Sequence, residues 1–255
     1  MIWFLASAVL SYISVPVLLP VYAGQVRQNY LGEQVPTGLG TAFILPSVLV
    51  LIILSGGENK GLWLALLLLL FSIFGLLDDT LGGAEQKGFR GHFSQRTLST
   101  GALKAWGGGI ASVVVSAQFG TGVLDVLISA ALIALAANFL NLLDLRPGRA
   151  GKAFFVLGFP LLLFGGQTLQ SVSVVLLAVL GYLPWDLKRK AMMGDTGANP
   201  LGATLGYFAA LHFPVFAKVV LLTVLASLNI VAEKVSFSRI IESNRFLQFL
   251  DRLGR

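Results

Sequence analysis

The chain has 255 residues, of which 56% are AVILMFWYC and only 12% are charged, against roughly 25% charged in an ordinary soluble domain. That composition argues against water-soluble folding. A bilayer core about 30 Å thick needs about 20 apolar residues per helical crossing, so there is room for many spans in one integral domain. The formal charge is +6 and there is no cysteine, which excludes a disulfide framework, a thiolate metal site and cysteine catalysis. His92 and His212 alone make a poor basis for a zinc site, so any metal should be hard and oxygen-bound.

The first apolar stretch, residues 2–22, has no basic residue ahead of it and is read as a retained helix, not a cleaved signal. Further apolar stretches follow at 39–54, 62–77, 102–117, 124–143, 153–165, 172–185, 201–213 and 215–231. The expected fold class is therefore all-α, a polytopic integral membrane bundle of about nine transmembrane helices. Several stretches fall short of a full crossing. Together with Gly107, Gly108, Gly109, Gly165 and Gly166, this points to close packing or interior breaks, because irregular backbone facing lipid is too costly. After the last stretch, Ile240, Ile241, Phe246, Leu247, Phe249, Leu250 and Leu253 alternate with Arg239, Arg245, Arg252 and Arg255. That is the pattern of an amphipathic helix lying on the inner leaflet. Two regions are expected: a transmembrane domain, 1–235, and a cytoplasmic amphipathic tail, 236–255.

If odd-numbered spans run outside to inside, the segments 24–38, 78–101, 144–152 and 186–199 and the tail are cytoplasmic. Of the 18 Lys and Arg, only Lys60 and Lys218 then fall outside, as the positive-inside rule requires. The expected topology in the cytoplasmic membrane is N-terminus out, C-terminus in. The basic balance reflects this loop asymmetry and anionic headgroups; no aromatic-interleaved basic module points to nucleic acid.

The same topology places Asp78, Asp79, Asp144 and Asp195 at the inner ends of different helices. Asp78 and Asp79 directly follow an apolar run, where carboxylates are costly unless solvated, capped by cations or bound to metal; acids of a loop beside a helix end are the simpler alternative. Asn138, Asn141 and Asp144 recur about every third residue, which on a helix makes one polar stripe and a hydrophilic cleft, or else interhelical hydrogen bonds. In Met193-Gly194-Asp195-Thr196-Gly197-Ala198-Asn199 the Asp-Thr-Gly triplet is like that of aspartic proteases. Those need two such loops on a β-rich fold. A Gly-flanked Asp at a helix start instead suits phosphate or a hydrated Mg²⁺ ion.

The ordered set Pro36-Thr37-Gly38-Leu39-Gly40, Gly75-Leu76-Leu77-Asp78-Asp79, Asn138 to Asp144 and Gly194-Asp195-Thr196-Gly197 resembles the polyprenyl-phosphate N-acetylhexosamine-1-phosphate transferases of glycosyltransferase family 4. This family includes the phospho-MurNAc-pentapeptide translocase of peptidoglycan synthesis. The resemblance runs from about Pro36 to Gly206. It implies a Mg²⁺-dependent cytoplasmic cleft where a UDP-sugar meets a phosphorylated polyprenol such as undecaprenyl phosphate, in cell-wall biogenesis. Asp78 and Asp79 match the family's aspartate pair, for which deprotonation of the lipid phosphate is the implied role. Asp195 matches the metal-binding aspartate. Asn141 and Asp144, with Asn138 before them, match the nucleotide-side motif, and Lys104 matches a lysine that faces phosphate, with an inner-edge snorkelling lysine as its alternative.

Two departures stand out. Where the family continues with a second acidic Asp-Gly pair, this chain reads Asp144-Leu145-Arg146-Pro147-Gly148-Arg149-Ala150-Gly151-Lys152, and the late histidine-rich motif is missing. Arg146, Arg149 and Lys152 are accordingly read as candidate diphosphate contacts or as ordinary inside-loop cations. His92 is read as a loop residue and His212 as an interfacial one. A catalytically silent relative that binds polyprenyl phosphate or a nucleotide-sugar is the alternative to an enzyme, and a transporter the weaker third, since its site would lie at the midplane. The sequence leaves a homodimer open.

Overall fold

The computed structural model describes residues 2–56, 59–82 and 100–255. Among them are eleven α-helices: α1 (Ile2–Leu18), α2 (Thr41–Ser55), α3 (Asn59–Leu81), α4 (Thr100–Ser116), α5 (Val123–Leu143), α6 (Arg149–Gly158), α7 (Gly166–Leu187), α8 (Gly194–His212), α9 (Val215–Lys234), α10 (Phe237–Ser243) and α11 (Arg245–Arg252). A 3-10 turn, Phe159–Phe164, follows α6, and Gly165 and Gly166, both at positive φ, break the chain before α7.

Among the described residues, four helices are long and apolar enough to cross a bilayer: α3, α5, α7 and α9; α1 and α2 are shorter apolar helices. Leu45, Leu49, Ile110, Phe216, Val220 and Val224 are exposed on their helices, apolar surface of the kind a bilayer covers. The protein is an integral, multi-pass membrane protein.

Helix α8 occupies the centre, packed chiefly against α5 and α3, and nearly every residue from Thr196 to Ala210 is buried. Small residues permit this. A Cβ at Gly202 would stand 2.1 Å from the Ala136 carbonyl oxygen of α5, so the two backbones touch where a side chain would hold them apart, the close approach that small-residue spacing gives membrane helices.

One small element departs from the all-α expectation. Strand β1 (Val26–Gln28) pairs antiparallel with β2 (Gln34–Pro36). The chain then runs alongside the approach to α8: the N–H of Met192 donates to the Pro36 carbonyl (2.8 Å), and those of Leu39 and Gly40 donate to the carbonyls of Met192 and Met193 (both 3.1 Å). The two glycine motifs, distant in sequence, are thereby stitched together.

The tail also differs from the single helix expected. Asn244 breaks it into α10 and α11, its side-chain oxygen accepting the N–H groups of Phe246 (3.0 Å) and Leu247 (3.1 Å), a helix start of the kind Asn favours. Phe237 of α10 is buried, edge-on to Phe139. At the opposite end of the bundle Lys218 pairs with Asp125 (2.7 Å), both buried, and donates to Ser129 (3.1 Å). His212 closes α8 at that end, its Nε2 2.7 Å from Thr168 Oγ1 and its ring stacked on Phe164.

Candidate active site

Asp78 and Asp79 sit in the last turn of α3. Successive helical residues point about 100° apart, so the two carboxylates meet different partners. Asp79, 8% exposed, turns inward to the start of α8, where its Oδ2 accepts Thr196 Oγ1 (2.7 Å) and Thr196 N–H (3.0 Å) and its Oδ1 accepts Asp195 N–H (3.3 Å). The first N–H groups of a helix lack internal partners, and a carboxylate there satisfies them and complements the helix dipole. Gly194 makes room for this: its φ is +62°, and a Cβ would lie 2.4 Å from Asp79 Oδ2 and 2.7 Å from Thr37 Oγ1.

Asp78 turns to the open side. Lys104, from the first turns of α4, places Nζ 3.3 Å from Asp78 Oδ2 and in direct contact with Asp195 Oδ2. The Asp78 and Asp195 side chains remain 23% and 20% exposed. Three helix ends thus converge on one ammonium between two carboxylates. Arg27 of β1 fastens the end of α3 by donating to the carbonyls of Asp78 and Asp79 (both 3.3 Å).

Asp144 caps the C-terminus of α5, its N–H on the Asn141 carbonyl (3.1 Å). Burial first, then the charges of Asp186, Asp195 and Asp79, push its carboxyl well above the ordinary range, with Arg149 opposing. Asn141 and Asp144 are half-buried. Asn138 is drawn elsewhere. Its Nδ2 donates to Asn229 Oδ1 of α9 (2.6 Å), and Asn229 donates to the carbonyls of Leu225 and Leu135. Steps of three residues fall short of a 3.6-residue turn, so the expected stripe drifts, and Asn138 serves interhelical bonding.

The three cations after Asp144 each pair with the tail in this structure. Arg146 donates to Glu242 (3.0 Å) and lies over the Tyr30 ring. Arg149 is buried and forks onto Asp251 (2.8 and 3.1 Å) and Ser238 (2.8 Å). Lys152 Nζ donates to the carbonyls of Leu250 (3.1 Å), Asp251 (2.5 Å) and Leu253 (3.1 Å), capping the end of α11. Arg255 returns the grip through Asp251 and the Pro147 carbonyl (2.8 Å). Buried Asp186 accepts the Gly148 N–H (3.0 Å) from below. Burial would raise the Asp251 carboxyl, but hydrogen bonds and charge from Arg149 and Arg255 outweigh it and hold it below its usual value. Burial and then Arg255 push the Lys152 ammonium down to about 8, with Asp251 and Asp186 opposing.

Arg27, Thr196, Asp186 and Asp251 join the expected set. Asp186 carried the signal that drew attention to Asp78, a carboxylate at the inner end of an apolar run; Thr196 stood inside the Asp195 motif without a partner being legible, and Asp251 carried no signal, because their contacts lie more than a hundred positions away. His92 lies outside the described residues.

Among the described residues no three Asp, Glu or His side chains form a closed metal cage. Mg²⁺ does not require one: it keeps its waters and takes one or two carboxylates plus substrate phosphates. The partly exposed oxygens of Asp195 and Asp78, already gathered round a cation, fit that demand.

A family model described as Glycosyl transferase family 4 matches residues 61–213, a segment that takes in Asp78, Lys104, Asp144 and Asp195. The chain belongs to glycosyl transferase family 4. Among curated relatives it is similar to the phospho-N-acetylmuramoyl-pentapeptide-transferase of Fervidobacterium nodosum, 27% identical over 73% of this chain and 61% of the relative. That of Prochlorococcus marinus is 26% identical over 74% and 58%. The chain thus spans about three fifths of the length of these family members, and α9 and the tail lie beyond the matched family segment.

Proposed function

We propose that the protein transfers a sugar-1-phosphate from a UDP-N-acetylhexosamine to polyprenyl phosphate at the cytoplasmic membrane face, in cell-envelope polysaccharide synthesis. The observation that carries this reading is Lys104 held between Asp78 and Asp195 where α3 ends and α4 and α8 begin. Beside it, an apolar groove of about 430 Å³ runs between α4 and α5, lined by Trp106, Gly109, Ile110, Val113, Leu127 and Ala131. It begins within a turn of Lys104 and suits a prenyl chain whose phosphate rests at the lysine. We read this cluster as lying on the cytoplasmic side, a reading supported by the gathering of Lys and Arg in the segments around it.

In the reaction a phosphate oxygen of the lipid attacks the β-phosphorus of the UDP-sugar. A new P–O bond forms, the bond to the bridging oxygen breaks, and UMP leaves with the electron pair. Asp78, on the open side, accepts the proton of the lipid phosphate. Lys104 balances phosphate charge once it leaves its carboxylates. Asp79 fixes the start of α8 and so the position of Asp195; Asn141 and Asp144 face the nucleotide. Mg²⁺ bound at Asp195 supplies neutralisation of the diphosphate, which with positioning is most of what phosphoryl transfer asks of a protein.

The test is UMP release from a panel of UDP-sugars by purified protein with undecaprenyl phosphate and Mg²⁺, scored by labelled lipid product. No UMP from any donor sinks the proposal. A second reading, a binding relative without turnover, is favoured by the commitment of Arg149 and Lys152 to the tail and by the missing histidine motif; tight lipid-phosphate or nucleotide-sugar binding with no product would establish it.

A further inference from the structure

Helix α11 is mounted with its polar side toward the protein. Asp251 is buried against Arg149, and Lys152 caps the helix end. Phe246 and Phe249, three residues apart and hence on one face, and Leu253 just past the helix end are 68%, 62% and 54% exposed. Two phenylalanines and a leucine on or just past a helix that has a docked side to bury them against is the reverse of a water-soluble arrangement. Exposed Arg245 and Arg252 flank the apolar face. Location supplies the occupant: α9 is a membrane-crossing helix ending at Lys234, and α10 begins at Phe237, so the tail cannot leave the bilayer surface. An apolar face bordered by arginines at that level is complementary to anionic headgroups over acyl chains.

We propose that α11 docks on an anionic bilayer surface through Phe246, Phe249 and Leu253 with Arg245 and Arg252, and that this docking holds the loop after Asp144 through Asp251. The mechanical link is complete in the structure. Arg149 and Lys152, which follow that loop, are gripped by α11, while Arg255 holds Pro147 and Asp186 holds Gly148. Anionic lipid then orders the segment next to Asp144. This rests on α9 as a membrane helix and is independent of the transferase reading.

The chain has no native cysteine, so full-length protein carrying Phe249→Cys can be spin-labelled at one position and placed in nanodiscs of phosphatidylglycerol or phosphatidylcholine. In phosphatidylglycerol the label should be accessible to oxygen and shielded from a water-soluble nickel chelate; in phosphatidylcholine the shielding should weaken. Each arginine near an anionic surface is worth roughly fivefold in partitioning, so Arg245→Gln with Arg252→Gln should remove most of the lipid dependence. Amide exchange of residues 144–152, read on unlabelled protein, should be slower in phosphatidylglycerol, and Asp251→Asn should abolish that difference while the label at 249 stays shielded. A chelate-accessible label in phosphatidylglycerol overturns the docking, as does shielding that ignores lipid charge or appears only with two copies per disc. Loop exchange equal in both lipids overturns the coupling.

Discussion

Thr196 Oγ1 donates a 2.7 Å hydrogen bond to Asp79 Oδ2, and the Thr196 N–H reaches the same oxygen at 3.0 Å. The second carboxylate of the aspartate pair is thereby spent on the start of α8, while its neighbour Asp78 faces Lys104. The two adjacent carboxylates thus face different partners.

The division predicts unequal costs. Asp79→Ala strands the N–H groups of Asp195 and Thr196 and should cost about 1–3 kcal/mol of stability, seen as earlier thermal unfolding in detergent. Asp78→Ala breaks only a partly exposed ion pair and should cost under about 1 kcal/mol while abolishing UMP release. Equal losses of stability would refute the assignment.

Asp195→Asn should abolish Mg²⁺-dependent nucleotide binding with little change in unfolding temperature, because a partly exposed ligand supports no core. Titration calorimetry with and without chelator reads this out. Affinity indifferent to both the substitution and the chelator would remove Asp195 from the metal role.

Arg149→Ala leaves buried Asp251 with Arg255 as its remaining charged partner. Breaking a fully buried pair from one side costs about 3–5 kcal/mol; with Arg255 still in place the loss should be smaller, yet α10 and α11 should become more protease-sensitive while the rest of the chain resists. UDP-sugar affinity should change less than tail cleavage does; the opposite order would return Arg149 to the substrate.

Tail docking should also follow acid pH. Because the Asp251 carboxyl is held below its ordinary value of 3.8, its pairing contributes fully above that value and is lost only as pH falls through the lowered one. A spin label on the tail should stay immobile at pH 5 and gain mobility only below the usual carboxylate range. Release near pH 6 would contradict the Arg149 pairing.

Single cysteines at Asn59, which opens α3, and Ser243, which closes α10, should react with impermeant reagents from opposite sides of the membrane. Labelling from the same side would rule out the nine-span, N-out topology.

Composition alone determined that this chain lives in a bilayer, since so few charges leave no other way to satisfy so much apolar surface. The four motifs likewise fixed the family, because each is a short local run readable without knowing its partners. What sequence could not decide was the use of each polar group. Asn138 shares its spacing with Asn141 and Asp144 but bonds to Asn229, since helical drift and a neighbour 91 positions away set its direction. Arg146, Arg149 and Lys152 look like phosphate ligands or topology signals in one dimension; in three, they hold Glu242, Asp251 and the end of α11. Cations are read from sequence by their charge, but their role is set by whichever acceptor the fold brings within three ångströms, and that is a tertiary fact.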